Sequence, residues 1–150
     1  MMACAHAPPA PVVSPPPPAP VRPAVQLAVI PAESNAFPRA ARAVSASLAG
    51  ARIGGIDETQ VSKVSLEVVQ LAIECVDPTD ACYQAIGRSM AANQLLFARI
   101  DPGARKRQLK VTVTLYDVDA RAARHTAQKV FASEDQAVEG MAALVAEATQ

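Results

Sequence analysis

Leu95-Leu96-Phe97-Ala98-Arg99-Ile100, the turn Asp101-Pro102-Gly103, and then Leu109, Val111, Val113 and Leu115 in strict alternation predict a β-hairpin in the second half of the chain. Side chains on a strand alternate between its faces, so this hairpin has an apolar face that must be covered. Downstream, Asp117-Val118-Asp119-Ala120-Arg121 reads as a turn and Arg124 to Phe131 as a further strand. Ser133 with Gln136 forms a capping box, and Val138, Met141, Ala142, Val145 and Ala148 line the inner face of a closing helix. Upstream, Thr79 or Asp80 caps a helix through Ala81, Tyr83, Ile86 and Met90. Before the break at Val76-Asp77-Pro78-Thr79, the residues Val61, Val64, Val68, Leu71, Ala72 and Cys75 form one helical stripe within Thr59 to Cys75. The β-branched content of Leu66 to Leu71 also permits a strand, but the spacing favours a helix.

The domain opens with Val25-Gln26-Leu27-Ala28-Val29-Ile30, a β-rich run stopped by Pro31. A helix follows through Ala40, Val44 and Leu48, ended by Gly50, and Arg52 to Ile56 supplies a brief second strand. Gly54-Gly55 invites a phosphate-loop reading, yet no GxGxxG and no Gly-Lys-Ser/Thr follows a strand here, so the pair is a bulge or tight turn. The resulting order, β-α-β-α-α-β-β-β-α, predicts an α/β fold with a mixed sheet and helices packed on it.

Composition sets the bounds of that domain. Nine of the 13 prolines fall within the first 23 residues, so residues 1–24 read as a disordered proline-rich tail and residues 25–150 as one domain. The 51% hydrophobic fraction includes 32 alanines, which leaves a modest core. Lys+Arg 14 against Asp+Glu 14, with two Tyr, three Phe and no Trp, argues against nucleic-acid binding. No stretch approaches the length of a membrane span. In the tail, proline makes an extended spacer: at about 3.1 Å per residue, residues 5–24 reach up to roughly 60 Å.

Met1-Met2-Ala3-Cys4-Ala5-His6 resembles the end of a bacterial lipoprotein signal peptide, in which the cysteine becomes an acylated amino terminus. A basic start and an apolar run should precede such a cysteine, so either the true start codon lies upstream or Cys4 is a free thiol on a loose cytosolic tail. Met1 and Met2 also stand where Leu and then Ala or Ser are usual. Acylation of Cys4 would leave Cys75 and Cys82 to pair across the predicted helix break. A structural disulfide, two buried free thiols, and a catalytic or metal role are the alternatives, and the spacing lacks the closeness of C-x-x-C redox motifs. His6 in the tail and His125 on a strand stand apart, so no metal site and no cofactor is expected. No nucleophile with a matching base is visible either, so no catalytic residue is assigned. Asp117 and Asp119 are spaced as same-face strand residues, but their place at a strand end suits turn formation.

Neutral net charge conceals two opposed regions. Residues 99–129 carry Arg99, Arg105, Lys106, Arg107, Lys110, Arg121, Arg124 and Lys129 against Asp101, Asp117 and Asp119, a difference of +5. Residues 53–80 carry Lys63 against Asp57, Glu58, Glu67, Glu74, Asp77 and Asp80, a difference of −5. Arg105-Lys106-Arg107 at the hairpin tip either steers an anionic partner or wall polymer, or is a solvated turn with ordinary edge protection.

Val25 to Pro31, Cys75 to Cys82 followed by Ala85-Ile86-Gly87, Ala92-Asn93-Gln94-Leu95-Leu96, and Leu115-Tyr116-Asp117-Val118 together resemble a family of periplasmic α/β domains. These are related to the amino-terminal domain of TolB and to LpoB-type lipoprotein partners of penicillin-binding proteins. The resemblance covers about residues 24–149, with Ala91-Ala92-Asn93 where many members have Gly-Ala-Asp. It implies a non-enzymatic envelope lipoprotein, anchored through Cys4 at the periplasmic face of a membrane, most simply the outer membrane, and binding other envelope proteins. The rival expectation is an untethered cytosolic α/β module serving as a subunit of a larger assembly.

Overall fold

The computed structural model describes residues 8–150. Residues 8–25 carry no helix or strand, and regular structure begins with β1 (Gln26–Ile30). The elements then run α1 (Pro38–Ala49), β2 (Glu58–Val61), α2 (Leu66–Ala72), α3 (Asp80–Ser89), β3 (Gln94–Pro102), β4 (Leu109–Asp117), β5 (Ala122–Phe131) and α4 (Glu134–Ala148). This is the expected order of elements, folded into one mixed sheet with strand order β2-β1-β3-β4-β5. β1 lies parallel to β2 and to β3, whereas β3, β4 and β5 form an antiparallel meander.

Alternation along β1 explains how the layers form. Leu27 and Val29 face one side, where they join Leu96, Ala98, Leu109, Val111, Val113 and Leu115 beneath α1 and α4. Ala28 and Ile30 face the other, joining Leu95, Phe97, Tyr116 and Val118 beneath α2 and α3. β1 is thus covered by helices on both faces, which is why it reads as an unbroken apolar run. Pro38 opens α1, where its missing N–H costs nothing. The free N–H groups of Arg39 and Ala40 donate instead to Glu134 Oε1 at 2.6 and 3.0 Å, so the start of α4 caps α1. A salt bridge of 2.6 Å between Arg39 and Asp135 reinforces that joint.

Four expectations need correction. The second strand is not Arg52 to Ile56: those residues lead through a turn at Gly54-Gly55, with Gly55 at φ +81°, into β2. Pairing with β1 sets its place, for Asp57 N donates to Val25 O at 2.9 Å and Ser62 N to Val29 O at 2.8 Å. The helix predicted across Thr59 to Cys75 is only α2, because Val61 is used by β2 and Ser65 caps the helix by accepting from Val68 N at 3.4 Å. Its buried residues are Leu66 and Val69, and the expected stripe of Val61, Val64, Val68 and Leu71 is exposed. The hairpin turn falls after Pro102 rather than at Asp101-Pro102-Gly103, since Pro102 still pairs with Leu109. On α4 the buried set is Ala137, Met141, Leu144, Val145 and Ala148, so Val138 and Ala142 lie off the inner face.

The stretch Ala91-Ala92-Asn93 ties three elements together. Asn93 N donates to Gln26 O at 2.9 Å, its Oδ1 accepts from Gln26 N at 2.9 Å, and its carbonyl accepts from Val118 N at 2.8 Å. Its side-chain amide donates to Asp119 Oδ2 at 3.3 Å, a contact that an aspartate at position 93 would turn into repulsion. Ala91 sits at φ +51°, a left-handed conformation that glycine adopts more readily than alanine.

Candidate functional site

The candidate surface lies on the sheet face covered by α2 and α3. α2 is short, and Leu66 and Val69 alone of its residues are buried. Their spacing leaves Val68 and Leu71 pointing outward, at 42% and 68% exposure. Val64 just before the helix and Val76 just after it are also exposed, at 45% and 72%. Apart from Val61 and Val130, these are the only exposed large hydrophobic residues among those described outside the tail. Exposed hydrophobic residues scattered singly are ordinary, and four of them within residues 64–76 make this stretch the candidate contact surface.

Beside this band a groove of about 310 Å³ opens between α2, the loop after it and the sheet. Leu66, Leu71, Val76, Pro78 and Tyr83 supply its apolar walls, with Glu67 and Arg99 among its polar groups. Tyr83 is held by Phe97 and Tyr116, with ring centroids 4.8 and 5.2 Å away. Burial pushes the Tyr83 hydroxyl above its ordinary pKa, opposed by the Arg99 guanidinium. Behind it, Tyr116 is 1% exposed, and its hydroxyl donates to Asp80 at the start of α3, to Oδ1 at 3.0 Å. Burial first, and the Asp80 hydrogen bond second, push that tyrosine up to about 12.

The loop carrying Val76 is pinned. Cys75 and Cys82 are joined by a disulfide, with Cα atoms 5.4 Å apart. Thr79 caps α3 by accepting from Cys82 N at 3.2 Å. One side of the bridge lies in the loop after α2 and the other is buried within α3.

Arg105, Lys106 and Arg107 are brought together in the exposed loop between β3 and β4. That loop is closed by Gly103 N donating to Gln108 O at 2.7 Å and by Arg105 N donating to Gln108 Oε1 at 3.1 Å. The opposed charge regions separate accordingly: β2 forms one edge of the sheet and β5 the other. His125 is exposed on β5, and Asp117 Oδ1 accepts from Ala120 N at 2.8 Å in a turn. Cys4 and His6 lie outside the described residues. Among the described residues no group of three or more His, Cys, Asp and Glu side chains is placed to hold a metal ion. Among them, too, no helix is long and apolar enough to cross a membrane.

The tail joins the domain through Asp57. Arg22 Nη2 donates to both carboxylate oxygens at 3.1 Å, and Val25 N donates to Oδ2 at 2.7 Å. Neither this clasp nor the exposed band was visible in the sequence. For the band, the signal lay in Ser65, a cap residue that interrupts the apparent stripe.

No protein-family model matches the chain, and no curated protein matches it. Among solved structures the chain is similar to the LpoB C-terminal domain from Salmonella enterica. Identity is 15%, the match covers 75% of this chain and 85% of that one, and the TM-score is 0.44.

Proposed function

We propose that the protein is a tethered binding module of the bacterial cell envelope, recognising other proteins by surface complementarity and carrying out no reaction. Residues 1–24 serve as anchor and spacer, with Cys4 acylated at the periplasmic face of the outer membrane, and residues 25–150 are the binding domain. The observation that carries this reading is the exposed band of Val64, Val68, Leu71 and Val76 on a domain whose other apolar side chains are largely buried.

Two further features support it. Residues 8–24 are exposed throughout and free of helix or strand, as a spacer needs to be. The Cys75 to Cys82 bridge suits an oxidising compartment. A tether of this kind raises the local concentration of the domain near membrane-bound partners, so weak contacts suffice. Arg105, Lys106 and Arg107 add longer-range attraction for an anionic surface on the partner.

Cell fractionation with intact-mass analysis tests the anchor: the protein should sediment with membranes, carrying acyl groups on Cys4. A soluble, cytosolic protein with an unmodified Cys4 would overturn it and favour an untethered subunit. Replacing Arg105, Lys106 and Arg107 with Ser tests the tip. The expected result is slower partner association at low salt, and an unchanged rate would return the tip to an ordinary solvated turn.

A further inference from the structure

The chemistry of the partner is written around the exposed band. Glu67 lines the groove, and Glu74 and Asp77 follow on the loop that carries Val76. Within residues 63–80 and the groove's lining the basic groups are Lys63 and Arg99, and Arg99 has Asp101 as a partner at 4.0 Å. An apolar surface with an acidic rim repels anionic lipid headgroups, so a membrane is a poor occupant. It also lacks the self-complementary charge that a symmetric pair of copies needs, because acidic rim would meet acidic rim.

We propose that the band and groove dock an amphipathic helix of a partner protein whose apolar face is flanked by Lys or Arg. An apolar anchor side chain enters the groove between Leu71, Val76, Pro78 and Tyr83, and the basic flanks meet Glu67, Glu74 and Asp77. The disulfide holds the Val76 loop against α3, so the groove is formed before the helix arrives. This inference rests on the reading of the protein as a binding module and adds the chemical class of its partner.

The test titrates the full chain with a short amphipathic peptide carrying a leucine face and lysine flanks, and with its twin carrying glutamate flanks, following backbone amide shifts by NMR. The lysine peptide should bind saturably, with shifts concentrated at residues 64–83 and at Arg99, and roughly tenfold more tightly than the glutamate twin. Raising salt should erase most of that difference. Leu71→Asp and Val76→Asp alter exposed positions, so each should abolish binding while leaving the circular dichroism spectrum unchanged. Equal binding of the two peptides, shifts centred on β5 or the hairpin tip, or no saturable binding would overturn the proposal. So would a dimer that Leu71→Asp dissolves, or vesicle binding through the same band. Should Leu71 crosslink to a partner in cells while both peptides fail, the partner chemistry is wrong and the binding-module reading stands.

Discussion

Replacing Gly87 with Ala puts a methyl group where Val118 already is. The added Cβ would overlap Val118 Cγ2 and lie 2.8 Å from Cγ1, with Val118 Cβ itself at 3.1 Å, so rotation of the valine alone does not clear it. Both residues are buried in the layer under α2 and α3, which leaves little room to yield. Overpacking of this kind costs about 1–3 kcal/mol, and a contact this short belongs at the upper end. Alanine inside a helix recovers about 1 kcal/mol of propensity over glycine, so the net loss should be about 2 kcal/mol. Val118→Ala alone removes buried methyl groups and should also cost about 2 kcal/mol. In the double variant the methyl group introduced at position 87 occupies the space that the valine vacates. Its loss should therefore fall short of the sum of the two single losses by about 2 kcal/mol. Urea unfolding of the three variants measures this directly. Additive losses, or a Gly87→Ala variant as stable as the parent, would refute the close approach of α3 to the strand end.

Three other outcomes follow from the same structure. Tyr116 titrates at about 12 in the folded chain against 10.0 ordinarily, so its contribution is intact below pH 10 and drains away as pH rises toward 12. The loss is on the order of 3 kcal/mol, and Tyr116→Phe should flatten most of that slope in alkaline unfolding curves. Replacing both Cys75 and Cys82 with Ser should cost roughly 2.5 kcal/mol by loop-closure entropy, and a thermal melt unchanged from the parent would show the bridge to be idle. Ala91→Gly should raise stability by about 1 kcal/mol by relieving the left-handed strain at φ +51°, whereas a lower melting temperature would mean that the strain is absent.

What the residues revealed depended on whether local pattern and tertiary environment agreed. The meander was legible because Leu109, Val111, Val113 and Leu115 alternate between core and surface on a strand flanked by two others. Thr79 and Ser133 marked helix starts through local chemistry that needs no tertiary partner. β2 was misplaced because all four of its residues are exposed, and its pairing with β1 across α1 leaves no periodic trace. The α2 stripe failed for an instructive reason. Helical spacing of valines and leucines predicts an amphipathic helix but not which partner its apolar face will have, and the sheet accommodates only Leu66 and Val69. Three residues of the misread stripe, Val64, Val68 and Leu71, therefore belong to the candidate site. The motifs Ala85-Ile86-Gly87 and Leu115 to Val118, which carry the family resemblance, meet where Gly87 packs on Val118. They record a packing contact and say nothing of a partner.

The most direct test of the α2 surface is site-specific photocrosslinking in cells, with the probe placed in turn at Leu71, Val76, Lys106 and Gln128. A discrete crosslinked species is expected from Leu71 and Val76, none from Lys106 in the hairpin loop or Gln128 on the exposed face of β5, and loss of the species from Val76 when Leu71 is replaced by Asp. Crosslinks from Gln128 alone, or equal yields from all four positions, would contradict it.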